Sequence, residues 1–83
     1  MAYQLRIKPG AEKALNKLPQ KDHYRALTAI NIIANDPFSG KRLKGGREGQ
    51  WSMRIWPYRI IYSIHKKELI VFVIVIGHRQ GIY

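Results

Sequence analysis

Side chains that can handle a phosphate ester follow an apolar run at the end of the chain. In VFVIVIGHRQGIY, the apolar run ends at Ile76, and His78, Arg79 and Tyr83 come next. A guanidinium stays charged and can hold two phosphate oxygens, whereas an imidazole exchanges protons near neutral pH. A phenol can stack on a base or transfer a proton. These residue types indicate an anionic substrate.

Two further arginines lie on consecutive predicted strands. WSMRIW alternates Trp51, Met53 and Ile55 with a polar set that contains Arg54, and YRIIYSIH places Arg59 on its outward side. Because alternate residues of a strand point to opposite faces, both arginines are predicted on one side of a sheet. We expect Arg54, Arg59 and Arg79 to gather on the face that the helices leave uncovered.

Charge indicates the class of partner. The chain has 83 residues with 15 Lys and Arg against 5 Asp and Glu, a formal net charge of +10. Such an excess attracts polyanions. Nucleic acid is the leading predicted partner, followed by an acidic protein segment and then an anionic membrane surface.

Cysteine usage and hydropathy bear on the cellular location and on the kinds of site that the chain can form. The absence of cysteine excludes disulfides, cysteine-ligated zinc and thiol nucleophiles, and it is consistent with a cytoplasmic location. The apolar run from Leu69 to Ile76 is far shorter than the ~20 residues of a membrane-spanning helix. We therefore expect a cytoplasmic protein with no membrane partner, no cofactor and no metal site.

The pattern of elements predicts an α+β fold, in the order β-α-α-β-β-β, over one domain of residues 1–83. Helical spacing and alternation predict a helical hairpin on one face of a mainly antiparallel sheet. Asp22 is the expected N-cap of the second helix. The last strand is the most apolar, so it should lie centrally and pair with the first. The predicted strands are 2–8, 51–56, 58–65 and 68–77, the helices are 11–18 and 22–35, and residues 41–50 form a mobile basic loop.

Aromatic and basic residues outside the strand ends have simpler explanations. Trp51, Tyr58 and Tyr62 are expected in the core, whereas Trp56 has outward parity and can stack on a base. The loop KRLKGGREGQ lacks the Lys-Ser signature of a phosphate-binding P-loop. The predicted RNA-contacting set is Lys41, Arg42, Lys44, Arg47 and Trp56.

Several motifs in this order resemble the RelE/ParE superfamily of toxins from toxin–antitoxin modules. They are RLKGG, RIWPYRIIY and the terminal GHRQGIY, and the β-α-α layout precedes them. The resemblance spans essentially the whole chain. It implies the small RelE-like fold and one of two activities: cleavage of messenger RNA in the ribosomal A site, or binding and poisoning of DNA gyrase.

The resemblance also implies roles for particular residues. In the RelE-like pattern the chemistry would fall on Arg54, Arg59, Arg79 and Tyr83, and Lys44 would touch RNA. The chain departs from the pattern at Ser52, where RelE-like members often have a second basic residue. The general base is therefore open.

Metal-free RNA cleavage needs a base for the 2′-hydroxyl, a cation for the phosphorane and an acid for the leaving 5′-oxygen. No dense set of carboxylates or histidines predicts a metal here. Arg59 and Arg79 suit the phosphorane, because each stays charged. The candidates for proton transfer are Tyr83, His78 and the loop lysines Lys41 and Lys44.

The leading hypothesis is a ribosome-dependent mRNA endonuclease silenced by a cognate antitoxin. The runner-up is a gyrase poison without nuclease activity, and the third is an inactive relative that binds an antitoxin as a co-repressor. The expected partners are the antitoxin, the ribosome with mRNA in its A site and, as a toxin–antitoxin complex, operator DNA.

Overall fold

The computed structural model describes residues 2–45 and 49–78. Its strands are β1 (Gln4–Ile7), β2 (Lys41–Arg42), β3 (Gln50–Ile55), β4 (Tyr58–His65) and β5 (Ile70–His78). Its helices are α1 (Pro9–Lys17), α2 (Gln20–Asn35) and a 3₁₀ turn, Pro37–Ser39. The predicted α+β order is confirmed, with one additional short strand.

One five-stranded sheet has the order β1-β5-β4-β3-β2. The first strand is parallel to β5, and the remaining neighbours are antiparallel. After β1 the chain passes through both helices and re-enters the sheet at the opposite edge, as β2. Strands β3, β4 and β5 then follow one another back across the sheet, which places β5 beside β1. The predicted pairing of the first and last strands is confirmed.

The helices bury one face of this sheet. Ala26 and Ile33 of α2 pack with Ile60 of β4 and with Val71 and Val73 of β5 in one core cluster. Small alanines on the inner side of α2 let the helix lie close to the strands. Tyr62 is fully buried as predicted and Trp51 packs against the same cluster, whereas Tyr58 is only half-buried.

Two sequence expectations about local structure are wrong. The second helix begins at Gln20 after Pro19, and no side chain caps it, so Asp22 is not its N-cap. Asp22 instead lies in the first turn and pairs with Arg25 at 3.2 Å. The segment 41–50 is not wholly a loop, because Lys41 and Arg42 pair with β3.

Ile61 has the outward parity that alternation along YRIIYSIH gives it, yet it is not exposed. A bulge between Ile61 and Tyr62 changes the register of β4 against β5, and Ile61 is inaccessible to solvent. Its side chain still has the parity of Ser52, its direct partner on β3, and not that of the helix-packed core. A buried strip therefore crosses the sheet face opposite the helices.

Candidate active site

Two arginines face each other across β3 and β4. Arg54 and Arg59 are direct partners in the antiparallel register, so their side chains leave the same face of the sheet. Core residues Ile55 and Ile60 have the other parity. The structure thus brings Arg54 and Arg59 together on the face that the helices leave uncovered, as the alternation predicted.

The arginine pair lines a cleft of about 490 Å³. Lys41 of β2 also lines it, and Ser52 forms part of its floor. Among the described lining residues, three are cationic and none is acidic. We call this the basic cleft; its described lining residues are Ser39, Gly40, Lys41, Ser52, Met53, Arg54 and Arg59.

The two arginines are held differently. Arg59 is half-buried, and its Nε is inaccessible to solvent. Arg54 is exposed and lies over the indole ring of Trp56, with its guanidinium carbon 5.1 Å from the ring centroid. A guanidinium with a buried Nε and a more accessible one therefore line the same cleft.

Electrostatics explain why this arrangement indicates an anion site. Like charges directly opposite each other on a sheet are destabilising, and Lys41 adds a third positive charge beside the pair. A phosphate group would relieve this repulsion and could accept a bidentate contact from either arginine. The cleft is suited to a phosphodiester.

One wall of the basic cleft is fixed by a buried tyrosine. The Tyr62 hydroxyl donates a hydrogen bond to the backbone oxygen of Pro37 at 2.7 Å. Burial raises the pKa of Tyr62 to about 12, so the donor stays protonated at physiological pH. Gly40 packs directly against this hydroxyl, and a Cβ there would collide with it and with the Ser52 carbonyl oxygen. The chain is thereby held where Lys41 enters β2.

The position of Lys41 bears on the departure seen at Ser52. Ser52 is buried, and Lys41 is its direct partner on β2, so both side chains have the same parity. A cation from the neighbouring strand therefore occupies the region where the resemblance led us to expect one on β3. The sequence signal was weak because a two-residue strand inside a glycine-rich segment carries no periodicity.

Other predicted RNA contacts lie elsewhere. Arg42 is the partner of Trp51 and so has the opposite parity to Lys41. With Lys44 and Gly49 it lines a separate depression of about 390 Å³. The described basic residues of segment 41–50 therefore lie at two places: Lys41 lines the basic cleft, whereas Arg42 and Lys44 line the other depression.

His78 is not placed with the arginine pair by the register. It is the partner of Tyr58, and their rings meet edge to face with centroids 6.0 Å apart. Gly77, the neighbour of His78, is the residue opposite Arg59. His78 thus has the parity of the other face, which weakens its case as the acid or base.

The remaining predicted site residues, Arg47, Arg79 and Tyr83, lie outside the described residues, so their roles stay predictions. Within residues 2–45 and 49–78, no three His, Asp or Glu side chains are grouped to hold a metal ion. In the same ranges, no helix combines the length and apolarity needed to cross a membrane.

Comparison with known proteins identifies the family. Residues 5–83 match the family described as the ParE toxin of the type II toxin–antitoxin system parDE. Toxin RelG of Mycobacterium tuberculosis is 29% identical over 85 residues, covering 100% of this chain and 98% of that protein.

Solved structures share the fold. The M. tuberculosis toxin–antitoxin complex RelBE2 contains a chain with a TM-score of 0.85 and 26% identity, covering 98% of this chain and 95% of that one. The archaeal RelE–RelB complex from Pyrococcus horikoshii gives a TM-score of 0.83 and 25% identity, covering 98% and 99%. This chain therefore belongs to the ParE toxin family of type II toxin–antitoxin systems, within the RelE/ParE superfamily.

Proposed function

We propose that this toxin is a ribosome-dependent mRNA endonuclease. The observation that carries the proposal is the basic cleft, where Lys41, Arg54 and Arg59 converge without an acidic side chain among its described lining residues. Arg54 and Arg59 are directly opposite each other and repel, and a bound phosphate would relieve that repulsion. Charge development on a phosphorane calls for such an arrangement.

In the proposed reaction the 2′-oxygen of one nucleotide attacks the adjacent phosphorus. The new 2′-O–P bond forms as the 5′-O–P bond breaks, leaving a 2′,3′-cyclic phosphate and a 5′-hydroxyl. Arg59 is already held by its buried stem, so it can stabilise the phosphorane with little reorganisation. Arg54 supplies a second guanidinium, and Trp56 beside it offers an indole face for a base.

Two protons must move in this reaction. Lys41 lines the cleft, and its ammonium group can donate a proton to the departing 5′-oxygen. The base that removes the 2′-proton is Tyr83 in this proposal, since His78 has the parity of the opposite face. The ribosome contributes by holding the message so that the 2′-oxygen is in line with the scissile bond, an orientation effect that can be large.

The direct test is in vitro translation with toeprinting, comparing the wild type with Arg59→Lys. Lysine keeps the charge but loses the fork that grips two oxygens, so we expect A-site cleavage to fall roughly 100-fold. Arg25→Lys is the matched control, because Arg25 is an exposed arginine on α2 that pairs with Asp22. Equal cleavage by all three proteins would overturn the assignment of Arg59, and no cleavage by the wild type would overturn the nuclease.

The proton-transfer roles need a separate measurement. Single-turnover cleavage on programmed ribosomes should slow strongly for Tyr83→Phe and for Lys41→Gln, and little for His78→Ala. A residue whose replacement leaves the rate unchanged has no part in the chemical step.

Gyrase poisoning is the second candidate, and the match to the ParE toxin family favours it. Such a toxin needs a binding surface and no catalytic set. Pulse labelling after induction distinguishes the two: an immediate stop in protein synthesis supports the nuclease, whereas DNA damage with filamentation supports the gyrase poison. Normal growth would favour an inactive co-repressor.

We also propose a cognate antitoxin as partner. Two of the similar structures are toxin–antitoxin complexes, and a net charge of +10 favours an acidic segment that folds across the toxin. Co-purification with such a segment, and loss of cleavage in the complex, would support it. Operator DNA binding belongs to that complex and is tested by a mobility shift with and without the antitoxin.

A further inference from the structure

A second basic surface lies at the other edge of the same sheet face. Arg6 of β1 is the partner of Phe72 on β5, which in turn is the partner of Ser63 on β4. Alternation adds Lys8 and His65 to the same side. We call these five residues the Phe72 patch: Arg6, Lys8, Ser63, His65 and Phe72.

The Phe72 ring is the centre of this patch. The Lys8 Nζ lies 5.8 Å from the ring centroid, and the His65 ring meets it edge to face at 4.9 Å. His65 is oriented by Ser63, whose Oγ is 3.2 Å from its Nε2. Phe72 is half-buried, whereas Arg6, Lys8 and His65 are exposed. An aromatic ring is therefore held at the surface among groups that can carry positive charge.

The described acidic residues lie outside the strands that carry this patch, with Glu68 in the turn that follows His65. Among the described strand residues, none is acidic. The described acidic residues lie on α1, on α2 and its C-cap, and in the β4–β5 turn: Glu12, Asp22, Asp36 and Glu68. Arg6 and Lys8 thus project from a sheet whose described strands carry no compensating carboxylate.

The combination of an aromatic platform with flanking cations selects a particular ligand. Sequence-tolerant sites for single-stranded nucleic acid use aromatic rings for the bases and Lys or Arg for the phosphates. Lys8 rests on Phe72 here, and its flexible ammonium could move to a phosphate when a base takes its place. An acidic peptide would use the cations but would gain nothing specific from the ring.

We propose that the Phe72 patch is a nucleotide-binding subsite for single-stranded nucleic acid, separate from the basic cleft. One base stacks on Phe72, and the adjoining phosphates contact Lys8 and Arg6. The patch is centred on β5, and its nearest approach to the cleft runs along β4, where Ser63 is four residues from Arg59, about 13 Å away. The two surfaces adjoin but share no residue. The buried strip at Ile61 lies between them. The inference concerns binding, and it holds whether or not the protein cleaves RNA.

The experiment measures binding of a short 2′-O-methyl oligonucleotide to the full chain by fluorescence anisotropy. Without a free 2′-hydroxyl the probe cannot be cleaved by the proposed mechanism. Phe72→Leu keeps an apolar side chain but removes the stacking face, so affinity should fall about tenfold, and Phe72→Trp should retain it. Lys8→Gln should weaken binding and lower the salt slope by about one phosphate contact.

Lys13→Gln is the matched charge control, because Lys13 is exposed on α1 and undergoes the same change. The proposal is overturned if Phe72→Leu binds like the wild type, or if Lys8→Gln behaves like Lys13→Gln. It is also overturned if Phe72→Leu loses equal affinity for a duplex, whose bases cannot stack on a side chain. Circular dichroism confirms folding, and Phe72→Trp shows whether any loss comes from the lost ring.

These results are separable from the test of cleavage. A wild type that fails to cleave on ribosomes, while Phe72→Leu loses affinity for the probe, would leave the subsite in place and remove the nuclease. Normal cleavage by the wild type, together with unchanged probe binding by Phe72→Leu, would support the nuclease and overturn the subsite.

Discussion

The phenol of Tyr62 lies fully buried between β4 and the short segment that leads into β2. Its hydroxyl donates to the Pro37 backbone oxygen, and the adjacent Gly40 packs against it. Since Lys41 follows directly, this one side chain connects core packing to the wall of the basic cleft. Removing the hydroxyl would leave a buried carbonyl without its donor, which commonly costs about 1–3 kcal/mol.

The first prediction concerns pH and Tyr62. Burial raises the folded-state pKa from 10.0 to about 12, so folding favours the protonated phenol. The resulting stabilisation is fully present below pH 10 and is lost as pH rises towards 12. We expect the wild type to exceed Tyr62→Phe in free energy of unfolding at pH 8, and this difference to shrink between pH 10 and 12.

Urea unfolding of both proteins across this range measures the effect. Comparing the two variants cancels the titration of the lysines and the other tyrosines. Tyr24→Phe is the matched control, since Tyr24 is 68% exposed on α2 and its replacement should leave stability nearly unchanged. A difference between wild type and Tyr62→Phe that is constant from pH 8 to 12 would contradict this account.

Sequence reasoning predicted some residue positions well and others poorly. Arg54 and Arg59 were placed on one face because strand alternation is a strong local signal. The pairing of Lys41 with Ser52 was not predicted, since it depends on a contact between segments about ten residues apart. His78 was grouped with the arginines from its place in the chain, although parity gives it the other face.

At the scale of elements, long strands and helices were predictable and the junctions were not. The apolar β5 was correctly placed next to β1, because its residues are hydrophobic on both faces. The two-residue β2, the bulge beside Ile61 and the uncapped start of α2 were missed. In each case the local structure depends on tertiary packing, which the pattern of a single sequence does not reveal.

The junction between the 3₁₀ turn and β2 supports a second prediction. Gly40 has an ordinary φ of −81°, so backbone strain does not explain the glycine. Space does, because a Cβ would lie 2.7 Å from the Ser52 carbonyl oxygen and would meet the Tyr62 hydroxyl. We expect Gly40→Ala to destabilise the protein by roughly 1–3 kcal/mol through overpacking.

Gly10→Ala provides the control at another glycine. A Cβ at Gly10 would have no neighbour within 4 Å, and the residue lies in the first turn of α1. This substitution should be neutral or stabilise by up to about 1 kcal/mol. Thermal and urea unfolding of both variants would decide, and equal effects at the two positions would show that close packing is not the reason for Gly40.

At the scale of the whole molecule, charge and shape act together. The principal-axis extents are 34 × 29 × 21 Å, and the formal net charge is +10. At about 10 mM salt the Debye length is ~30 Å, so charges across the whole protein repel one another. The proposed partners, an acidic antitoxin segment and RNA, are polyanions that would neutralise this positive charge.

The last prediction follows from this self-repulsion. Raising NaCl from about 10 to 100 mM shortens the Debye length to ~10 Å, which screens most of the long-range repulsion in the folded state. Because the unfolded chain is more expanded and repels itself less, the free energy of unfolding should rise by about 1 kcal/mol. The double variant Lys13→Glu with Lys21→Glu lowers the net charge by four units on exposed helix positions, so its stability should respond less to salt. Urea unfolding at both salt concentrations measures this, and an equal salt response in the two proteins would show that net charge is not the cause.

The same two proteins also distinguish the effect of overall charge on ribosome binding from the effect of the local binding surfaces. Loss of the exposed helix charges should weaken association with ribosomes uniformly and reduce its salt slope, while the basic cleft and the Phe72 patch keep their own contacts.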